Sequence, residues 1–160
     1  MATYSKTMDS PIGVLKLSSD EWQLKSISFD AEHLEEESNT PDILIETQKQ
    51  LEEYFAGSRQ IFDLLFQPEG TEFQQRVWKQ VAAVSYGSTK SYVEIARAVN
   101  SQDSSRAVGM ANGKNPLPIV IPCHRIIGHD GKLTGYAGGL DRKKWLLLHE
   151  QNHSVINRLF

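Results

Sequence analysis

Cysteine is nearly absent from this chain, since Cys123 is the only one among its 160 residues. A single cysteine cannot form an internal disulfide bond, and it excludes the zinc knuckles and ribbons that need several cysteine ligands. A chain without disulfides is typical of a reducing compartment, and we therefore expect a cytosolic protein. Any role of this thiol beyond packing requires neighbours that favour its thiolate form.

Long apolar segments are also lacking. No apolar run approaches the roughly 20 residues that cross a bilayer. The opening stretch, MATYSKTMDSPIG, does not show the basic-then-apolar pattern of a signal peptide. With 39% hydrophobic and 23% charged residues, the composition is that of a globular protein that buries a core. These features predict no association with a membrane.

Charge is divided unequally between the two halves of the chain. Residues 1–70 contain 5 Lys and Arg against 14 Asp and Glu, a net charge of -9. Residues 71–160 contain 12 against 6, a net charge of +6. A basic half of this kind is typical of a surface that contacts a polyanion such as nucleic acid.

The first half alternates in the manner of strands. DSPIG and SSDE separate three extended segments, which predict an antiparallel meander over residues 3–8, 13–18 and 22–29. NTPDILIETQKQLEEYFAG predicts a helix with Thr40 as N-cap, Pro41 in the first position and Gly57 at the exit. QIFDLLF predicts a short strand. QPEG predicts a boundary between an N-terminal lobe, residues 1–70, and a C-terminal lobe, residues 71–160.

The second half is helical at first. TEFQ and SYVE are capping boxes that open two amphipathic helices, and a third short helix is predicted from Arg106 to about Gly113. The last two helices, around the polar NSQDSS, resemble a helix-turn-helix. The prolines of NPLPIVI predict a rigid, buried approach to Cys123. A glycine-rich loop, HDGKLTGYAGGLD (residues 129–141), and a final helix from about Asp141, with Trp145 and Leu148 facing inward, complete a mixed α/β (α+β) fold.

Two motifs allow other chemistry. HEQNH, residues 149–153, matches the H-E-x-x-H pattern of zinc metalloproteases, but no further His, Asp, Glu or Cys follows it as a third ligand. Cys123 next to His124 is also compatible with a thiol hydrolase. Neighbouring side chains of an extended segment point apart, however, so this histidine cannot easily pair directly with the thiol.

The segment PCHR, together with its surroundings, indicates a third possibility. With NPLPIVI before it, SSRAVGMANGKNP upstream and GYAGGLDRKKWLLLHE downstream, it closely resembles the O6-alkylguanine-DNA alkyltransferases from about Phe73 to Glu150. The resemblance implies a ribonuclease-H-like N-terminal lobe. It also implies irreversible transfer of an alkyl group from guanine O6 in duplex DNA to Cys123, once per molecule and after base flipping. O4-alkylthymine is left open as a second substrate.

The resemblance also implies roles for individual residues. Cys123 is the expected nucleophile, and His124, held by Glu150, is the expected base that takes its proton through a water. Tyr92 is expected to contact the guanine and to offset charge on the departing base. Asn115 is expected to tie the turn that carries the thiol to the helix-turn-helix.

Further positions match the family's contacts to substrate and DNA. Arg106 is the expected arginine finger that fills the gap left by the flipped base, in the minor groove. The expected substrate pocket also includes Pro118, Ile126, Tyr136, Ala137 and Lys143. The expected contacts to the DNA backbone are Ser91, Ser105, Ala107 and Gly109.

The resemblance implies no cofactor. Some relatives hold a structural zinc ion through two N-terminal cysteines, which this chain lacks, so we expect no metal. The expected partner is double-stranded DNA containing O6-alkylguanine, bound by a monomer, with cooperative binding left open. If the organism is a prokaryote, the protein is expected at the nucleoid. The alternative from another class is a non-enzymatic sensor of alkylated bases, but such proteins lack the cysteine.

Overall fold

The computed structural model describes residues 2–99 and 105–159, with side chains described as far as Ser154. This part of the chain forms two compact units that divide between Pro68 and Glu69. The turn of the predicted helix-turn-helix, residues 100–104, lies outside the described residues. No helix in the described ranges is long and apolar enough to cross a membrane.

The N-terminal unit contains the predicted meander. Strands β1 (Tyr4–Met8), β2 (Leu15–Ser19) and β3 (Leu24–Ser28) pair antiparallel in that order. The alternation along β2 places Leu15 and Leu17 in the core, fully buried, because successive side chains of a strand point to opposite faces. The expectation of a strand-rich first lobe is thereby confirmed.

Helix α1 (Asp42–Ala56) packs against this sheet and buries Leu44, Leu51 and Tyr54. It ends as predicted at Gly57, whose φ of 86° lets its N–H reach the last carbonyls of the helix. The predicted N-cap is wrong. The helix begins one residue later, with Pro41 as N-cap, because the Thr40 hydroxyl donates to the Glu37 carbonyl instead, at 2.8 Å.

The strand predicted for QIFDLLF is also wrong. Only an isolated bridge forms, between Phe66 and Leu24, whose N–H donates to the Leu65 carbonyl. The Gln50 side chain takes the place of a neighbouring strand: its amide donates to the Asp63 carbonyl at 3.0 Å and accepts from the Asp63 N–H at 2.9 Å. A side chain from a distant helix therefore satisfies backbone groups that a strand ladder would have paired.

The C-terminal unit is helical, with a small parallel pairing of β4 (Lys90–Ser91) and β5 (Ile126–Ile127). Its helices are α2 (Glu72–Ala82), α3 (Tyr92–Ala98), α4 (Ser105–Gly113) and α5 (Leu140–Leu159). Both predicted capping boxes form. Helices α2 and α3 pack against α4, and the Trp78 indole donates to the Ala111 carbonyl of α4 at 2.8 Å.

Helix α5 differs from its prediction in the face that it buries. Leu148 is 46% exposed and Trp145 is half-buried, so the inward orientation predicted for Leu148 is wrong. The buried positions include Lys143, Leu146 and Glu150, spaced three and four residues apart on one side of the helix, together with His149. The final helix therefore presents two charged groups to the interior, and these require partners there.

Candidate functional site

The segment from Leu117 to Cys123 is rigid and buried. The Ile121 N–H donates to the Leu117 carbonyl at 2.8 Å, and the Cys123 N–H donates to the Ile121 carbonyl at 2.7 Å. Ile119 has a φ of 76°, which is a strained conformation for a β-branched residue. The segment then enters a short 3-10 turn, residues 123–125, and the surrounding structure holds Cys123 at only 5% exposure.

A charged cluster lies directly behind this turn. Glu150 of α5 accepts from His124 Nε2 at 2.6 Å and, at both carboxylate oxygens, from Arg125 at 2.7 and 3.0 Å. Arg125 also donates to the Val84 carbonyl at 2.7 Å. The N–H of Gly87 donates to Glu150 at 3.3 Å from a turn with φ of 77°, where an added Cβ would collide with a side chain of α5. Both oxygens of the Glu150 carboxylate are thus hydrogen-bonded, as a buried ion pair requires.

These contacts settle the protonation of the cluster. Burial alone would raise the pKa of Glu150, but hydrogen bonds and charge from His124 and Arg125 outweigh it and hold that pKa well below its usual value. Burial lowers the pKa of His124, although Glu150 opposes this. The imidazole is therefore neutral, with its proton on Nε2 facing the carboxylate, and Nδ1 is left as a proton acceptor. That nitrogen has no hydrogen-bond partner among the described residues.

The thiol of Cys123 is held in its neutral form. Burial raises its pKa to about 11, while Asn115, the Lys143 ammonium and Tyr136 act in the opposite direction. Asn115 is itself fixed, because its amide donates to the Ile121 carbonyl at 2.8 Å and accepts from a backbone N–H at 2.9 Å. Asn115, Lys143 and Tyr136 can therefore stabilise the negative charge on sulfur after a base has removed the proton.

Lys143 is completely buried and has no carboxylate partner among the described residues. Its Nζ donates to the carbonyls of Ile126 and Thr134 at 2.6 and 2.8 Å, and to the Tyr92 hydroxyl at 3.5 Å. Burial lowers its pKa to about 8, so the group is mostly protonated at neutral pH. The Tyr92 hydroxyl donates in turn to the Thr134 carbonyl at 3.1 Å. Lys143 and Tyr92 thus form a proton-bearing pair beside the thiol.

An open cleft of about 440 Å³ lies between α3, α4 and the glycine-rich loop. The predicted site residues in its wall are Tyr92, Ser105, Arg106 and Gly109. Arg106 is exposed at the start of α4, and Tyr92 reaches from the cleft towards the thiol. Tyr92 is therefore the residue that the cleft wall shares with the electrostatic surroundings of Cys123.

Two family models cover most of the chain. One, described as the DNA binding domain of 6-O-methylguanine DNA methyltransferase, matches residues 72–152. The other, described as the ribonuclease-like domain of the same proteins, matches residues 3–68. The chain belongs to the 6-O-methylguanine DNA methyltransferase family. This confirms both the resemblance seen in the PCHR segment and the ribonuclease-like first lobe.

Individual members of this family are similar over nearly their whole length. Proteins named methylated-DNA–protein-cysteine methyltransferase from Mycolicibacterium paratuberculosis and Methanosarcina acetivorans are 46% and 45% identical to this chain. These matches cover 93% and 90% of this chain, and 93% and 96% of the relatives. The crystal structure of Mycobacterium tuberculosis OGT in complex with DNA has a TM-score of 0.85 at 42% identity, covering 93% of each chain.

The structure groups the site residues predicted from the family in two places. His124, Glu150, Asn115, Tyr136, Lys143 and Tyr92 surround Cys123 or its base, whereas Ser105, Arg106 and Gly109 line the cleft. The other five predicted residues belong to neither group: Ser91, Ala107, Pro118, Ile126 and Ala137. Of these, Ser91 caps α3, Pro118 is buried within the segment from Leu117 to Cys123, and Ile126 is buried directly after the 3-10 turn.

Sequence reasoning missed two residues of the site. Arg125, the last residue of PCHR, donates to both carboxylate oxygens of Glu150. Asn112 of α4 donates to the carbonyl of Cys123 at 3.1 Å. The sequence did contain a signal for Arg125, because it directly follows a histidine that was expected to bind a carboxylate. The sequence of α4 contained no such signal for Asn112, because a single asparagine in a short helix is equally typical of a surface position.

The HEQNH motif does not form a metal site in the described part of the chain, which has no cluster of three His, Cys, Asp or Glu side chains that could hold an ion. Glu150 is engaged by His124 and Arg125. The ring of His149 stacks on Trp145 instead, with 4.8 Å between the centroids. The motif therefore matches the metalloprotease pattern in sequence, but its Glu150 and His149 side chains are engaged in other contacts.

Proposed function

We propose that this protein repairs DNA by transferring an alkyl group from guanine O6 to its own Cys123. The observation that carries the proposal is a buried thiol next in sequence to a neutral imidazole, that of His124. Glu150 binds Nε2 of this imidazole, which leaves Nδ1 unprotonated and able to accept a proton. Only a thiolate combines the softness and strength needed to displace an alkyl carbon from oxygen. The functional domains proposed are residues 1–70 and 71–160, with the chemistry in the second.

In the proposed step, His124 Nδ1 takes the thiol proton through a water while sulfur attacks the alkyl carbon. A carbon–sulfur bond forms and the carbon–O6 bond breaks, leaving its electron pair on the guanine. Tyr92 donates a proton to the departing base, and the protonated Lys143 at 3.5 Å stabilises the resulting phenolate. Asn115 and Tyr136 stabilise the thiolate. The thioether has no easy leaving group, so each molecule acts once and needs no cofactor.

The DNA side of the proposal rests on the cleft. Guanine O6 lies inside a stacked duplex, so the base must be flipped out to reach a thiol that is 5% exposed. Arg106 enters the minor groove and fills the gap, while Ser91, Ser105, Ala107 and Gly109 approach the backbone. Pro118, Ile126, Ala137 and Lys143 complete the wall around the flipped base. The partner is duplex DNA with O6-alkylguanine, and the need for DNA and a reduced thiol places the protein in the cytoplasm.

Intact-mass analysis tests the reaction directly. After incubation with a duplex containing O6-methylguanine, the protein is expected to gain one methyl group, located on Cys123 by peptide mapping. The yield should not exceed one guanine repaired per protein molecule, because the thioether is not hydrolysed under mild conditions. Continued turnover, or a methyl group on another residue, would show that the proposed mechanism is wrong.

Arg106→Ala is expected to slow repair in duplex DNA by about 5- to 150-fold, since unstacking a base costs a few kcal/mol that the finger offsets by roughly 1–3 kcal/mol. Affinity for duplex should still fall with salt, because the remaining phosphate contacts release counterions. The measurement is the single-turnover rate constant on duplex and on free O6-benzylguanine.

The free base supplies the control, because it requires no flipping. The Arg106 variant should react with it at nearly the parental rate, provided that the parental protein accepts this base. A second control is Arg97→Ala, at an exposed arginine at the end of α3 outside the cleft wall, which should repair duplex normally. Equal slowing of Arg106→Ala on duplex and on free base would place Arg106 in the chemical step or in the fold.

A further inference from the structure

Asn112 is a buried side chain that joins α4 to the nucleophile. It is 2% exposed, and its Nδ2 donates to the backbone carbonyl of Cys123 at 3.1 Å. Because a carbonyl oxygen can only accept a hydrogen bond, the NH₂ group of Asn112, and not its oxygen, must face Cys123. The same carbonyl also accepts from the N–H of Ile126, which closes the 3-10 turn. The backbone of the nucleophile is thus held once by its own turn and once by α4.

The position of Asn112 along α4 connects two parts of the site. Arg106 and Gly109, which line the cleft, lie on the same helix, and Asn115 follows three residues after Asn112. The side-chain amides of Asn115 and Asn112 donate to two carbonyls of the segment from Leu117 to Cys123, those of Ile121 and Cys123 respectively. Helix α4 and the residue two positions after it are thereby hydrogen-bonded directly to the backbone that carries the sulfur.

The second end of the Asn112 side chain shows that this contact has a cost. Its Oδ1 is buried and has no hydrogen-bond partner among the described residues. A leucine, which has the same branched shape and is somewhat bulkier, would leave no polar atom unpaired, so burial of apolar surface alone would favour it. The amide is useful at this place for what its NH₂ group donates: the bond to the Cys123 carbonyl, and a second interaction that lowers the pKa of the Tyr92 hydroxyl.

We propose that Asn112 is a positioning residue, which holds Cys123 at a set place relative to the DNA-binding face of α4. The sulfur must meet the alkyl carbon in line with the breaking bond to O6, and small displacements of reacting atoms are costly in rate. This inference rests on the proposed function. It adds a residue that acts through the backbone of the nucleophile and makes no contact with the substrate.

The test compares Asn112→Leu with the parental protein on O6-methylguanine duplex and on free O6-benzylguanine. Because the sulfur is misplaced for both substrates, both single-turnover rate constants are expected to fall by about 10- to 50-fold. The dissociation constant for duplex should change by no more than about twofold, since phosphate contacts dominate affinity. Val108→Ala is the matched control: this fully buried α4 side chain has no group that can donate to the Cys123 carbonyl, and its truncation should lower stability without lowering either rate.

Asn112→Asp supplies a readout that a purely structural role would not move. A carboxylate cannot donate to the Cys123 carbonyl, whereas a protonated carboxyl group can. Burial raises the pKa of such a group, so its protonated form becomes populated as the pH is lowered. The ratio of variant to parental rate should therefore rise between about pH 8.5 and 5.5, while the ratio for Asn112→Leu stays constant.

Several outcomes would overturn the inference. Parental rates for Asn112→Leu would show that the bond is dispensable, and a flat ratio for Asn112→Asp would show that donation is not what matters. Slowing on duplex alone, with weaker binding, would make Asn112 a DNA-binding residue. The proposed function fails separately: in that case the parental protein itself gains no alkyl group on Cys123.

Discussion

Replacing Cys123 by alanine is expected to abolish alkyl transfer while leaving affinity for duplex DNA within about twofold of the parental value. Cys123 is only 5% exposed and is not part of the cleft wall, so its sulfur contributes almost no contact area to DNA. The charged cluster behind it, formed by His124, Arg125 and Glu150, does not depend on the thiol for its hydrogen bonds. The measurements are methyl incorporation by mass and a fluorescence titration with labelled duplex.

Cys123→Ser is the matched control for shape. It places a hydroxyl where the thiol was, so binding and stability should be preserved. Transfer should remain undetectable, because a hydroxyl is a far weaker nucleophile towards an alkyl carbon and is harder to deprotonate. If the alanine variant lost DNA binding outright, Cys123 would be a structural residue. If the serine variant became methylated at normal rates, the chemistry assigned to sulfur would be wrong.

Glu150→Gln is expected to lower the transfer rate by about 100-fold and the free energy of unfolding by about 3–5 kcal/mol. One carboxylate oxygen accepts from Arg125 and Gly87, and the other from Arg125 and His124. A glutamine amide must turn its NH₂ group towards one of these donors. Arg125 then remains buried without a counter-charge, and the imidazole loses the partner that keeps its proton on Nε2.

The pH dependence of stability provides a check on the Glu150 assignment. Its pKa lies below the usual 4.5 in the folded protein, so the stability that it contributes is complete above that value and is lost as the pH falls towards the folded-state pKa. The difference between parental protein and Glu150→Gln should therefore be full at neutral pH and should shrink only in acid. Urea unfolding at about pH 7 and about pH 3 measures both differences.

Glu72→Gln, at an exposed position in the first turn of α2, is the matched control for the loss of a carboxylate. It should change the free energy of unfolding by less than about 1 kcal/mol, because charge near an exposed helix terminus contributes little. If the Glu150 variant were as stable and as active as this control, the buried cluster would have no part in either the fold or the reaction.

Local chemistry was sufficient for much of the fold. The two capping boxes, at Thr71 and Ser91, depend on residues three apart, and the meander depends on alternation within each strand. Both are short-range patterns that a sequence shows directly. The segment around Cys123 was equally readable, because its prolines, cysteine, histidine and arginine are consecutive. The sequence by itself therefore determined the fold class, the family and the identity of the candidate nucleophile.

The remaining features were decided by contacts between residues far apart in the chain. Gln50 replaces a strand at Asp63, Arg125 meets Glu150 across 25 residues, and Asn112 reaches the Cys123 carbonyl from another element. Lys143 reads as one more charge on a basic helix, yet its ammonium is buried against carbonyls of two other segments. Propensity and spacing describe neighbours within about one helical turn. Which charged side chain is buried, and with which partner, depends on the faces that pack together, because a buried charge is stable only where the tertiary structure supplies its hydrogen bonds.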